Sequence, residues 1–165
     1  MRGSSVLQIV SAVGFVLVLG APALAQSSSP FKIEGTLNDY TDAANAAGPW
    51  HITAEWSAEL RGRSGRVDFM ASLTMVRSAS GAASHTHHIA LINATVTPLA
   101  NGYRISGDAV ITSNGALAAF SGSHLDVEIT GGSALPLSNV RLTFGGAAVA
   151  HYGDQPIEGV VSLRR

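Results

Sequence analysis

The 165-residue chain contains no cysteine. That removes disulfides, thiolate metal sites, a cysteine nucleophile and a lipid-modified cysteine together, so the fold has to be held by its core alone. Charge is scarce as well: Asp, Glu, Lys and Arg make up 13% of the residues, and the only lysine is Lys32. Nucleic acid and anionic membrane surfaces both demand a basic patch, and neither is expected as a partner. The G-x-S-x-G, P-loop, H-E-x-x-H and dinucleotide fingerprints are missing, which leaves catalysis without a direct signature. Past residue 25 there is no helix-period run and no apolar run long enough to span a bilayer, so no membrane span is expected in the mature chain.

The N-terminus carries an address. Met1-Arg2 is a short positive start, Val6 to Gly20 (VLQIVSAVGFVLVLG) is apolar, and Ala23-Leu24-Ala25 offers the small residues a signal peptidase accepts. The apolar stretch is shorter than the ~20 residues a spanning helix needs. Residues 1–25 are therefore expected to be a cleaved signal peptide, and the protein to be secreted or periplasmic. Residues 26–30 (QSSSP) read as a flexible tail and 31–165 as one all-β domain. Without Arg2, nine basic side chains stand against eleven acidic ones, a near-neutral balance.

What the mature chain does have is glycine, 18 in the whole sequence, and short Thr-, Val- and Ile-bearing segments between Gly, Asn and Ser. Trp50 to Leu60 (WHITAEWSAEL) alternates over eleven residues, with Trp50, Ile52, Ala54, Trp56, Ala58 and Leu60 on one face: the pattern of a half-buried strand. Arg61 to Gly65 supplies turn chemistry and Val67 to Met75 returns, a hairpin. A second hairpin is read from His85–Thr97 and Tyr103–Thr112, with Asn101-Gly102 supplying a type I′ turn. Phe31–Leu37, Leu125–Thr130, Val140–Phe144 and Ile157–Leu163 complete the strands, and Asn38 to Pro49 reads as loop.

Regular strands without crossover helices predict a single antiparallel β-barrel, lipocalin-like and up-and-down, with a two-sheet β-sandwich as the alternative. Consecutive hairpins favour the barrel, and closure protects edges. Gly48-Pro49-Trp50 resembles the short G-x-W pattern that opens lipocalin-type barrels; the resemblance covers three residues, no second lipocalin motif follows, and the family is not assigned.

The stretch Ala83 to Ala90 (ASHTHHIA) concentrates three of the six histidines. On a strand, His85 and His87 share a face about 6.5 Å apart, close enough for two imidazoles to converge on one ion. Zinc, copper or iron all suit such ligands. The spacing is similar to the His-x-His of cupins, but the glutamate expected a few residues on is replaced by His88-Ile89-Ala90-Leu91-Ile92. Third ligands are available on paper from His51 and Glu55, from His124, Asp126 and Glu128, or from His151 near Asp154. The alternatives for the pair are a solvated strand end or a proton-transfer site. Because the His88 face continues through Ala90, Ile92, Ala94 and Val96, it reads as the core side, which turns His85 and His87 outward. If Ile89 and Leu91 point inward instead, the pair sits at a barrel mouth, in a pocket.

Trp50 and Trp56 alternate with Ala54 and Ala58 on the inner face. Either large and small side chains from facing strands interlock, or the small ones leave a cavity for an apolar small molecule. The function expected from these residues is an exported, non-enzymatic binding protein with a His-based metal site. A barrel enzyme of cyclase or isomerase type, pairing His with Asp or Glu, and a structural or surface-interaction protein with no small-molecule site are the alternatives.

Overall fold

The structure, a computed structural model, describes residues 31–41, 49–60, 65–77, 84–131 and 137–164. The expected signal peptide (1–25) and tail (26–30), most of the loop before Pro49 and the Arg61–Ser64 part of the first turn lie outside these residues. Among the described residues ten strands follow in order: β1 (Phe31–Tyr40), β2 (Trp50–Leu60), β3 (Arg66–Arg77), β4 (Ser84–Leu99), β5 (Gly102–Asp108), β6 (Val110–Ser113), β7 (Ala116–Leu117), β8 (His124–Thr130), β9 (Asn139–Phe144) and β10 (Ile157–Arg164). A 3₁₀ turn (Gly146–Ala148) and a single helical turn, α1 (Val149–Tyr152), separate β9 from β10. No helix among the described residues is long and apolar enough to cross a membrane.

Eight of the strands close into an antiparallel barrel, and two lie outside it. Around the wall the order is β1-β2-β3-β4-β5-β8-β9-β10, each strand beside its next barrel neighbour in sequence, and β1 pairs with β10 to shut the ring. This is the expected up-and-down barrel; closure leaves no free edge in the wall. β6 continues β5 along the edge of β4, and β7 folds back on β6.

Period-2 alternation does the sorting. On β2, Trp50, Ile52, Ala54, Trp56 and Ala58 are buried, while Thr53, Glu55 and Glu59 are exposed. β3 repeats the pattern with Phe69, Ala71, Leu73 and Met75 inward, and β8 with Leu125, Val127 and Ile129. Apolar rows from the barrel strands meet along the axis, which is where burial of nonpolar area stabilises the fold.

β4 departs from strict alternation, and the departure decides where the histidines point. Val67 pairs with Ala94 and Phe69 with Leu91, so Ile92 and Asn93 together face the single residue Asp68, a β-bulge. Asn93 takes φ 58°, a left-handed conformation that asparagine tolerates better than most residues. Its N–H donates to the buried Asp68 carboxylate at 2.7 Å. The extra residue flips the face: His87, Ile89 and Leu91 point inward before the bulge, and Ala94 points inward after it. The expectation that the His88, Ala90 and Ile92 face is the core is thus corrected. Ile92 is 56% exposed and His88 is exposed, whereas His87 is 1% exposed.

The Asn101-Gly102 turn is a second correction. Neither residue has positive φ; the loop is Ala100-Asn101, and Gly102 already pairs with Leu99 and Thr130. Glycine is needed there for close approach, since a Cβ would stand 2.0 Å from the Ile129 carbonyl oxygen. The type I′ geometry occurs instead at Asn114 (φ 47°) and Gly115 (φ 85°), between β6 and β7. The opening strand also runs on to Tyr40, three residues past the expected Leu37.

Because the Asp68 carboxylate satisfies the bulge N–H in a buried place, Asp68→Ala is expected to lower the unfolding free energy by about 1–3 kcal/mol, read from the urea midpoint. An unchanged midpoint would mean that packing alone fixes the bulge.

Candidate metal centre

The start of β4, the start of β2 and the end of β3 gather at one end of the barrel with the segment between β9 and β10. That segment plugs the end: Ala148 and Tyr152 are fully buried, the Ala148 N–H donates to Ser123 Oγ at 3.1 Å, and Gly145 N–H bonds the His124 carbonyl at 2.9 Å. Gly153 ends α1 at φ 91°, ψ 173°, a region essentially restricted to glycine. The chain can therefore turn sharply into β10 while the preceding two side chains stay aimed into the mouth. Those two are His151 and Tyr152.

Three imidazoles converge there. His87 Nε2 is 2.9 Å and His85 Nε2 is 3.3 Å from His151 Nε2, and the ligand nitrogens of all three lie within 4.8 Å of one another. Two nitrogens bound to one tetrahedral zinc at the usual Zn–N length stand about 3.3 Å apart, so the His85–His151 contact already has that spacing and the His87–His151 contact is a few tenths of an ångström shorter. His87 Nδ1–H donates to the Thr112 carbonyl at 3.0 Å. Since a carbonyl can only accept, this bond fixes the His87 tautomer and leaves its Nε2 lone pair facing the other two rings.

Aromatic side chains wall the cluster. The Trp50 ring meets His85 edge-on at 4.8 Å, Phe120 stacks on His151 at 4.8 Å, and Tyr152 stands edge-on to His87 at 5.4 Å. Tyr152 itself stacks on Phe144 at 4.0 Å. Among the described residues its buried hydroxyl meets no hydrogen-bond partner, and burial raises its pKa, keeping it protonated as a donor.

The same burial keeps the histidines neutral. It lowers the pKa of His85, and of His151 with help from the charge a protonated His85 would carry. His87 is lowered to about 4, first by burial, then by repulsion from His151; the Thr112 bond opposes the fall, and His85 and His88 add to it. Each neutral imidazole keeps one ring nitrogen free of a proton, the state a metal ligand requires.

The other sequence candidates fall elsewhere. His51 is turned outward on β2, where its Nε2–H donates to Asn38 Oδ1 at 2.7 Å and its ring stacks on Tyr40. Glu55 faces an open groove of about 700 Å³ on the outer wall, together with Met70, Ser72 and His88. His124 lies exposed, 3.5 Å from both Asp108 and Asp126, and Asp126 accepts from Ser106 Oγ. Glu128 pairs with Arg104. The partner that joins His85 and His87 is His151. Phe120, Tyr152 and Thr112, which orient the rings, lacked any sequence signal beyond their residue type. The four residues proposed to line an apolar cavity, Trp50, Ala54, Trp56 and Ala58, are all buried in the core cluster. Trp56 stacks on Phe69 at 6.0 Å, and Ala54 and Ala58 sit opposite Leu73 and Phe69.

Fold and centre together define a class: a closed eight-stranded up-and-down barrel whose mouth carries three converging imidazoles. No protein-family model, no curated protein and no solved structure matches the chain.

The lowered His87 pKa has a stability consequence. Between the unfolded value of 6.5 and the folded value of about 4, the unfolded chain binds a proton that the folded chain refuses. Stability is full above pH 6.5 and falls as pH drops towards 4, by roughly 2–3 kcal/mol from this residue. In metal-free buffer, urea unfolding of the wild type is expected to show that decline, and His87→Leu to reduce it. Equal pH slopes for the two proteins would contradict a neutral, buried His87.

Proposed function

We propose that this protein is an exported, non-enzymatic metal-binding barrel that holds one transition metal ion, zinc, copper or iron, on His85, His87 and His151. The observation that carries the proposal is the convergence of three Nε2 atoms at a barrel mouth, with two contacts of 2.9 and 3.3 Å and one ring locked in the ligating tautomer by Thr112. Imidazole suits these metals. Aromatic rings flank all three ligands, and a backbone carbonyl behind His87 raises its basicity. Among the described residues the convergent group consists of imidazoles alone, which supports holding an ion over the His-with-carboxylate chemistry of a barrel enzyme. The leader read from residues 1–25 supports export, which would set the site to work on metal outside the cytoplasm.

Titration of the purified, chelator-stripped protein with zinc or copper, followed by calorimetry and elemental analysis, is expected to give one ion per chain. His151→Ala should weaken binding on the order of a hundredfold, while His51→Ala and His124→Ala leave it unchanged. Absence of stoichiometric metal, or a His151→Ala affinity equal to wild type, would overturn the proposal.

A further inference from the structure

The register of β3 against β4 places a fourth donor beside the cluster. Met75 is directly opposite His85 in that antiparallel pair, and opposed residues project from the same face with Cβ atoms about 4.5–5.5 Å apart. The pairing runs as two inward rows, Ile52–Met75–His85 and Ala54–Leu73–His87. The row that carries the half-buried His85 thus supplies a thioether, and the deeper row supplies only hydrocarbon. Met75 is 0% exposed. Its unbranched side chain has three rotatable bonds with sulfur near the tip, which gives it the reach to swing from the core towards the ligand nitrogens. The chain holds three methionines; Met70 points outward, 52% exposed, and Met1 lies in the leader.

Resting on the metal-binding proposal above, we infer that Met75 Sγ is the fourth ligand and that it makes the centre a copper site, selective for Cu(I) over zinc. A thioether is a soft donor that favours Cu(I), whereas zinc takes its sulfur as thiolate and is otherwise served by imidazole and carboxylate. Three neutral imidazoles and a thioether bring no negative charge to the ion, and the surrounding Trp50 and Phe120 rings form an apolar shell. Both features suit a monovalent soft cation better than a divalent one that keeps water or carboxylate. Met75→Leu removes the sulfur at nearly constant volume, so the core is preserved.

The test is competition of the purified protein with a chromogenic Cu(I) chelator under anaerobic conditions, beside a zinc titration, for wild type and Met75→Leu. The expected result is a loss of about tenfold or more in Cu(I) affinity, with zinc affinity unmoved. Unchanged Cu(I) affinity, or equal losses for both metals, would overturn the assignment of Met75 while leaving the three-histidine centre standing. A wild type that holds neither metal would remove the centre itself. X-ray absorption of the Cu(I)-loaded wild type decides independently of any folding defect in the variant: a sulfur scatterer in the first shell supports the inference, and a shell of nitrogen alone refutes it.

Discussion

The approach of His87 Nε2 to His151 Nε2, 2.9 Å across the barrel mouth, is the contact on which the site depends. Two neutral imidazoles placed nitrogen to nitrogen gain one hydrogen bond at most, and only if His151 presents an N–H to the lone pair that His87 is forced to offer. A buried polar group left unpaired is costly, so the cluster is satisfied either by that single shared proton or by an ion that all three rings ligate. Metal binding would then require His151 to hold its proton on Nδ1, an exchange of tautomer rather than of charge.

Everything upstream serves this contact. The bulge at Asp68 and Asn93 lets β4 present His87 to the interior on one side and Ala94 on the other. Barrel closure through β1 and β10 puts β10, and the plug that precedes it, over the end where β4 begins. Ser123 and Gly153 then pin the plug so that His151 descends onto the pair. The burial that makes the mouth apolar also lowers the three histidine pKa values, so packing and ligand chemistry have one cause.

The barrel was legible in the sequence because its signal is periodic and local. Trp50 to Leu60 alternates without interruption, and a run of such strands with short connections has few ways to close. The orientation of His85 and His87 was not legible, because a single bulge reverses inside and outside without changing the residue pattern; Ala90, Ile92 and Ala94 mimic a core face on paper. Asn93 was the one available hint, as asparagine tolerates the left-handed backbone. His151 was harder still. It lies 64 residues from His87 in an Ala- and Gly-rich stretch whose only helix has four residues, too short to show a period. The pairing of Met75 with His85 needed the register, which follows from the strand ends and the bulge together.

The most direct measurement is long-range ¹⁵N–¹H NMR of the histidine rings during a metal titration. Without metal, His87 should carry its proton on Nδ1 and all three clustered rings should be neutral at pH 7. One equivalent of Cu(I) or zinc should shift the Nε2 signals of His85, His87 and His151 together, leaving His51, His88 and His124 in place. Shifts confined to the exposed histidines, or a His87 protonated on Nε2, would contradict the account.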